Sequence, residues 1–184
     1  MNWKMRGRVF GFVLLSVNFV SANAGYSVGP AQADTTAPIT VSQSNQAGLA
    51  EAEMQARSHL TTFLDFALDD QGRARENAAL KISMTGYGGT DETIWVRPFA
   101  LRDGRYVGLL ANEPKSTDTK HVGDPVAFSA DQVRDLYFFG DDGKMYGSYT
   151  TRVLLRDMAP QTARQITRIL SPTPAPAHWI AKAY

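Results

Sequence analysis

The chain has 184 residues, with 19 Lys and Arg, 18 Asp and Glu, and no cysteine. The absence of cysteine excludes a disulfide-bonded domain and a lipoprotein acylated on cysteine. Residues 1–24 hold three of the cations and no acidic residue, so their removal leaves 16 cations against 18 acidic residues and a net charge of about −2. With no basic stripe left, no nucleic acid is expected as a partner.

The first 24 residues have the pattern of a secretory signal peptide. Lys4, Arg6 and Arg8 give a positive start, residues 9–20 are a short apolar run, and Ala22-Asn23-Ala24 is a small-x-small cleavage site. The apolar run is too short to span a membrane as a helix. We therefore expect a periplasmic or secreted protein with no membrane span once the signal is removed.

Composition divides the remainder into three parts. Residues 25–47 contain almost no large apolar side chain, which predicts a flexible linker. Residues 48–170 carry the periodic apolar patterns of a single domain. Residues 171–184 begin as a proline-rich tail, and Trp179 and Ile180 within it either dock onto the domain or stay free.

The periodic patterns predict an α+β fold, with a mostly antiparallel sheet built on two hairpins and covered by an N-terminal helix and two C-terminal helices. The first helix is predicted over residues 48–68 and the first strand over residues 79–85, with Leu80, Ile82 and Met84 facing the core. Later elements are a strand at 124–128, a capping box at 129–132, a hairpin over 136–148 in which Phe139 faces Tyr146, and helices at 150–157 and 160–170.

The strongest local signal is Asp103-Gly104, which lies between two apolar runs and predicts a hairpin. Alternation assigns one face of this hairpin to the core: Ile94, Val96, Pro98, Ala100, Val107, Leu109 and Ala111. On the other face Trp95 is expected opposite Asn112, Arg97 opposite Leu110, Phe99 opposite Gly108, and Leu101 opposite Tyr106. Because Pro98 has no N–H group, we expect either a four-residue loop over 102–105 or a bulge, with Pro98 at an edge or a break in pairing.

The second, mixed face of this hairpin is the candidate binding surface, since aromatic and arginine side chains together are typical of binding hot spots. The candidate binding residues are Trp95, Arg97, Tyr106, Asn112, Glu113 and, where a loop enters a helix and could hold an anion, Arg152. The alternative is that the first helix covers Trp95 and Phe99, because an aromatic stripe on a strand is more often core. Thr150 and Thr151 would then only cap the helix.

Nothing in the sequence marks a catalytic centre, a cofactor site or a metal site. His59, His121 and His178 are scattered, and the glycines at 86–89 lack the Lys-Ser/Thr and helix of a phosphate loop. A hydrolase using Glu92, Glu113 or Asp135 is one alternative, although Glu92 and Glu113 are better explained as paired with Lys115 or solvated. An immunity-like or inhibitor protein is another. The favoured hypothesis is a non-catalytic binding or protein-interaction module whose partner is another envelope protein.

Several stretches resemble one known family: Leu80-Lys81-Ile82, Ile94-Trp95-Val96, residues 103–108, Asn112-Glu113-Pro114, residues 122–126 and residues 143–155. They resemble the YegJ-like bacterial proteins, catalogued as domain of unknown function 2314, over roughly residues 50–165. The resemblance implies one α+β unit and an export signal, and no established activity. Two stretches depart from the family pattern: this chain has Asp135-Leu136-Tyr137-Phe138 where the family usually has Asp-Trp-Met-Tyr, and Gly147-Ser148 where it usually has Gly-Asn. If that tryptophan served a ligand surface, this chain has lost or altered it.

Overall fold

The computed structural model describes residues 43–180, so the predicted signal peptide and most of the predicted linker lie outside the described residues. The helices are α1 (Gln43–Ser58), α2 (Leu60–Ala67), α3 (Tyr149–Leu154), α4 (Pro160–Ile169) and α5 (Ala177–Ile180). The strands are β1 (Ala78–Thr85), β2 (Asp91–Arg102), β3 (Arg105–Leu110), β4 (Pro125–Phe128), β5 (Val133–Phe139) and β6 (Met145–Gly147). Within the described residues, no helix has both the length and the apolar character needed to cross a membrane.

The six strands form one sheet in the order β4-β3-β2-β1-β5-β6, and every neighbouring pair is antiparallel. Strands β1 to β4 follow one another as a meander, and β5 then returns to lie on the other side of β1. The capping box predicted at Ser129 and Gln132 forms a single 3-10 turn at this return. The α+β fold predicted from the sequence is confirmed.

Helices α1 and α2 cover one face of the sheet, which we call the helix face. Ala56 and Phe63 from the helices and Leu80, Ile82 and Val96 from the strands are completely buried between them. Burial of a large apolar side chain of this kind contributes about 1.5–3 kcal/mol to stability. The alternation predicted for β1 is therefore confirmed, and this layer is the main core.

Helix α1 begins at Gln43, so its first turn extends into the predicted linker, and it ends at Ser58. The one helix predicted over residues 48–68 is thus two helices. Contacts distant in sequence explain the early start. The buried Asn45 donates a hydrogen bond to the Asp157 carboxylate at 2.7 Å, and Leu49 packs against Leu154 and Met158.

Strand β2 contains a bulge at Pro98. Val96 pairs with Leu110 and Phe99 pairs with Gly108. Two residues of β2, Arg97 and Pro98, therefore lie opposite one residue of β3, Leu109. Pro98 has no N–H group to donate to β3, and the regular ladder breaks there. The predicted break in pairing at Pro98 is confirmed.

The hairpin turn itself is tighter than the predicted four-residue loop. Arg102 pairs with Arg105, and only Asp103 and Gly104 lie between the strands. Their φ angles of 48° and 76° are those of a two-residue turn of type I′, which matches the twist of the strands. The bulge, rather than a wider loop, therefore accommodates Pro98.

The bulge exchanges the two faces of β2. Ile94 and Val96 before it, and Phe99 after it, all lie on the helix face and are at most 3% exposed. Because side chains alternate along a strand, one extra residue moves every later side chain to the opposite face. The predicted core face is therefore right for Ile94 and Val96 and wrong for the other members, of which Val107 and Leu109 are 39% and 38% exposed.

The second hairpin differs from the prediction by one residue in register. Phe138 pairs with Tyr146 and Phe139 with Met145 across a loop over residues 140–144, whereas Phe139 was expected opposite Tyr146. The Phe138 and Tyr146 rings stack with their centroids 5.1 Å apart. Helix α3 then lies within the helix predicted over residues 150–157, apart from its first residue, and α4 begins at Pro160 as predicted.

The described part of the proline-rich tail docks onto the domain. Trp179 is 2% exposed and joins the main core. Its ring lies 6.2 Å from Phe63, 6.2 Å from Phe66 and 5.1 Å from Phe138, measured between centroids. Of the two alternatives left open by the sequence, the structure has the docked one.

We expect Trp179→Ala to lower the free energy of unfolding by about 3–5 kcal/mol, because it removes a large aromatic side chain from the core. Urea denaturation followed by circular dichroism measures this loss. Met54→Ala is the control, since Met54 on α1 is 54% exposed, and its effect should stay within about 0.5 kcal/mol. Equal stability of Trp179→Ala and the wild type would contradict a docked tail.

Candidate functional site

Trp95 lies on the face of the sheet opposite the helices, in a small cluster with Ala79 and Tyr137. The Trp95 and Tyr137 rings meet edge to face with centroids 4.8 Å apart. Lys81 Nζ lies 4.8 Å from the centroid of the Trp95 ring, and Arg97 donates a hydrogen bond to the Tyr137 hydroxyl at 3.4 Å. Trp95 is only 6% exposed, so it is packed by its neighbours rather than presented to a ligand.

Asn112 completes the backbone pairing of Trp95 beyond the end of β3. The Trp95 N–H donates to Asn112 Oδ1 at 3.0 Å, and the Ala111 N–H donates to the Trp95 carbonyl at 2.8 Å. The side-chain carbonyl of Asn112 thus takes the place of a strand partner. Its Nδ2 is buried and has no hydrogen-bond partner among the described residues.

A buried polar network joins β1, β5 and the start of α3. Lys81 Nζ donates to Thr150 Oγ1 at 2.8 Å, and Thr150 Oγ1 donates to Asp135 Oδ2 at 2.6 Å. The same carboxylate accepts the N–H groups of Tyr149, Thr150 and Leu136 at 2.8–3.0 Å. Asp135 therefore satisfies the free N–H groups at the first turn of α3, which the sequence assigned to Thr150 or Thr151.

The electrostatics of this network follow from its burial. Lys81 is 5% and Asp135 0% exposed. Burial lowers the pKa of Lys81, and the negative charges of Asp135 and Glu53 oppose part of that change. The Asp135 carboxylate already accepts four hydrogen bonds inside the protein. This arrangement is suited to holding α3 on the sheet rather than to acid–base catalysis on a substrate.

Glu92, at the start of β2, is a second buried carboxylate that accepts hydrogen bonds from backbone N–H groups. It is 5% exposed, and its carboxylate accepts hydrogen bonds from the N–H groups of Lys115 and Ser116 at 2.9–3.0 Å. The Ser116 hydroxyl donates a further bond at 2.8 Å. Glu92 thereby anchors the long connection between β3 and β4.

Glu113 and His121 form an exposed pair within the same connection. His121 Nδ1 lies 2.7 Å from Glu113 Oε1, and the Val122 N–H donates to Glu113 Oε2 at 2.9 Å. The bond from the Val122 N–H, followed by that from His121, lowers the pKa of Glu113. In turn, the hydrogen bond and charge of Glu113 raise the pKa of His121. The pair closes the connection between β3 and β4.

Arg152 holds three segments together at the β6 edge of the sheet. Its Nε donates to the Gly147 carbonyl at 2.9 Å, while Nη1 and Nη2 donate to the carbonyl and hydroxyl of Ser171 at 2.9 and 3.0 Å. Burial lowers its pKa. These acceptors occupy the guanidinium fork, so the contacts favour a structural role over the predicted anion site.

Of the six candidate binding residues, the structure brings three together. Trp95 and Arg97 lie on the face opposite the helices, as expected, and Asn112 reaches them through the bond from the Trp95 N–H to its Oδ1, although Ala111 rather than Asn112 lies opposite Trp95. Tyr106 was expected on that same face, but it is 8% exposed on the helix face and its ring stacks on Phe128 with centroids 5.4 Å apart. This expectation is wrong because the bulge at Pro98 reverses the face of the hairpin beyond it. Glu113 and Arg152 lie elsewhere, in the connection and at the sheet edge.

The described residues offer no assembled metal site, since no three His, Cys, Asp or Glu side chains among residues 43–180 come together. The interaction of Asp135 with Lys81 and Thr150 is not predictable from the local sequence pattern. A buried position for Lys81 is suggested by its place between the apolar Leu80 and Ile82, but its partners lie 54 and 69 positions away along the chain. Local pattern carries no signal over such separations.

Comparison with protein families gives one match. The model of a family described as uncharacterized protein conserved in bacteria, DUF2314, matches residues 46–169. This confirms the resemblance noted in the sequence. No curated protein and no solved structure matches the chain.

The structure places two residues at which the resemblance suggests a departure from the family pattern. Leu136 is 0% exposed in the main core, so the position where the resemblance leads us to expect Trp is an interior one in this chain. Ser148 has a φ of 52°, in the left-handed region that Asn adopts more readily than Ser. The Asn usual at this position therefore suits the backbone conformation that this chain adopts with Ser.

We expect Asp135→Asn to lower the free energy of unfolding by about 3–5 kcal/mol, because the substitution leaves the Lys81 charge buried without its counter-charge. Adding Lys81→Met should recover part of this loss, since no buried charge then remains. Urea denaturation of both single variants and the double variant forms a double-mutant cycle. If the loss of stability in the double variant equalled the sum of the losses in the two single variants, Asp135 and Lys81 would not be coupled through Thr150.

We expect the contribution of the Glu113–His121 pair to stability to be complete between about pH 4.5 and 6.5, the ordinary pKa values of its two groups. The contribution of protonated His121 is complete below pH 6.5 and is lost as the pH rises through its raised pKa. That of Glu113 is complete above pH 4.5 and is lost as the pH falls through its lowered pKa. Both groups are exposed, so the effect on global stability is small.

An NMR titration of the His121 ring measures this directly. In the wild type the pKa of His121 should lie above 6.5, and Glu113→Gln should lower it, because the hydrogen bond and charge of Glu113 are the largest causes of the raised pKa. Glu51→Gln, an exposed change on α1, is the matched control and should leave the titration of His121 unchanged. A wild-type pKa of His121 at or below its ordinary value would contradict the pairing.

Proposed function

The chain belongs to the uncharacterised bacterial family DUF2314, and we propose that it is an exported, non-catalytic module that binds another protein of the cell envelope. The observation that carries the proposal is an exposed apolar area on the sheet face opposite the helices. We call it the open patch, and it consists of Pro98, Ala100, Val107, Leu109, Pro125 and Ala127.

The open patch is continuous across three strands. Ala100 pairs with Val107 and Val107 with Ala127, while Leu109 pairs with Pro125. Val107 and Leu109 at its centre are 39% and 38% exposed. Scattered apolar side chains are normal on a protein surface, whereas contiguous ones on one face are typical of interaction sites.

The β6 edge of the sheet is covered by the chain itself and the β4 edge is short, which favours docking onto the face. Just before β4 the Asp124 carbonyl accepts the N–H of Leu110 in β3, so alternation turns the backbone of Pro125 outward. Pro125 has no N–H, and its carbonyl accepts a bond from Lys120 Nζ at 3.0 Å. At the other edge the Met145 carbonyl accepts the Ser171 N–H and the Gly147 N–H donates to Pro174. A partner strand would find few free groups at either edge.

The alternative of a hydrolase receives less support from the geometry. Glu92 and Asp135 are buried, and their carboxylates accept N–H groups of the protein itself. Glu113 is paired with His121 and the Val122 N–H. An acid–base pair needs two carboxylates that reach one substrate, and these three carboxylates each hold a separate part of the backbone.

Export is proposed from residues 1–24, whose charge, apolar run and cleavage pattern are those of a signal peptide. The envelope is then the compartment in which the partner would be met. An inhibitor or immunity-like protein would be one form of such a module and would use the same surface.

We expect a photo-reactive amino acid placed at Val107 of the full chain, expressed in a bacterial host of the family, to cross-link to a single envelope protein. Mass spectrometry identifies that protein, and binding is then measured with both components purified. Val107→Glu with Leu109→Glu should weaken binding at least 100-fold, because each removes about 1.5–3 kcal/mol of apolar burial.

The matched control is Val122→Glu, since Val122 is an exposed valine at 57% outside the open patch, and it should bind as the wild type does. The double variant should remain folded because both positions are exposed. Failure of Val107 to cross-link to any protein, or binding that survives both glutamates, would contradict the proposal.

A further inference from the structure

We propose that the partner surface is an apolar area with an acidic border, and that the cross-strand pair Arg102 and Arg105 beside the open patch recognises this border. The inference rests on the proposed function, because it specifies the chemistry of the protein that covers the open patch. It commits to a protein partner carrying carboxylates next to apolar side chains.

The parts of the strands that carry the open patch bear positive charge only, and the neighbouring carboxylates are Asp103, in the turn between Arg102 and Arg105, and Asp124, which precedes β4 and already accepts the His121 N–H. Residues 95–102 of β2, all of β3 and all of β4 contain three arginines and no acidic residue. The chain without its first 24 residues has a slightly negative net charge, whereas these parts of the strands carry positive charge. A partner with carboxylates at matching positions would be attracted to them at long range.

The two arginines at the turn are placed directly opposite each other. Arg102 pairs with Arg105 in the register of β2 and β3. Like charges at directly opposed strand positions destabilise a sheet when nothing neutralises them. Within the described residues, neither guanidinium forms a salt bridge with a carboxylate: Arg102 donates to the carbonyl of Gln71, and Arg105 is exposed. Arg102 Nη1 is held by the carbonyls of Gln71 and Leu101, so an external carboxylate would be met chiefly by the exposed Arg105, with Arg102 beside it.

The pair is close enough to the open patch to act with it. Arg105 and Val107 are two residues apart on the same face of β3, a separation of about 7 Å along a strand. A carboxylate bound by the arginines would therefore lie next to apolar side chains covering Val107 and Leu109. Arginine suits this task because its planar fork can bind a carboxylate through two parallel hydrogen bonds.

The same charges argue against a second copy of the chain as the occupant. A twofold pair formed through the open patch would bring six arginines to one interface, three from each copy, against the two Asp103 carboxylates of the turns. A membrane is a poorer fit as well. Val107 and Leu109 are less than 40% exposed on a flat strand surface, whereas membrane-surface binding typically uses an amphipathic helix that buries a whole apolar face.

The test uses two synthetic helical peptides of identical apolar pattern, with leucine on one face and either glutamate or lysine on the other. Each is titrated into the isotope-labelled full chain while the amide signals of Val107, Leu109 and Arg105 are followed by NMR. We expect the glutamate peptide to bind at the open patch at least ten-fold more tightly than the lysine peptide, with affinity falling as salt is added.

Arg102→Glu with Arg105→Glu should reverse this preference. Arg164→Glu with Arg168→Glu is the matched control, because both arginines are exposed on α4 and the change in net charge is identical, so the preference should stay. Equal binding of the two peptides, or an unchanged preference in Arg102→Glu with Arg105→Glu, would overturn the inference.

Two further measurements separate the other occupants. Binding of the wild type to phosphatidylglycerol vesicles that is lost in the Val107 and Leu109 variant would assign the face to a membrane and overturn the inference. Self-association in sedimentation velocity that is lost in the same variant would assign it to a second copy and overturn it as well. If binding of the envelope partner is weakened by Val107→Glu with Leu109→Glu but not by Arg102→Glu with Arg105→Glu, the proposed function stands and the inference of an acidic border is overturned.

Discussion

Because Pro98 has no N–H group, β2 cannot keep a regular ladder with β3 along its whole length. The extra residue accommodated between Val96 and Phe99 reverses the two faces of the hairpin beyond it. Phe99 and Tyr106 are thereby turned toward the helices and complete the main core, while Val107 and Leu109 are turned outward. The core under α2 and the exposed apolar area on the opposite face are two consequences of the same missing donor.

The other end of the sheet is held by buried polar groups. Helix α3 has six residues, too few for a helix to be stable by itself in water. The Asp135 carboxylate accepts the N–H groups at its start, and Arg152 ties it to β6 and to the segment after α4. Trp179 then closes the aromatic core from the tail. These contacts make the segment after α4, as far as Trp179, part of the domain.

The acidic side chains that would serve a hydrolase are instead engaged with the backbone of the protein. Glu92 and Asp135 are buried acceptors, and Glu113 is paired in a surface connection. Apolar side chains meanwhile remain exposed beside three arginines on one part of the sheet. An exposed apolar area of this kind is what the proposed binding role requires.

The sequence by itself determined the features that depend on near neighbours in the chain: the signal-peptide pattern, the strands and most of the helices, the place of the turn at Asp103-Gly104, the alternation of β1 and the break at Pro98. The family was also recognisable from short stretches of residues. The tertiary structure decided which face of the hairpin is buried, since a single extra residue reverses the side-chain period. It also decided the partners of Lys81, Asp135 and Trp179, because those contacts join residues whose separation along the chain leaves no trace in a local pattern. The surface proposed for binding belongs to this second group.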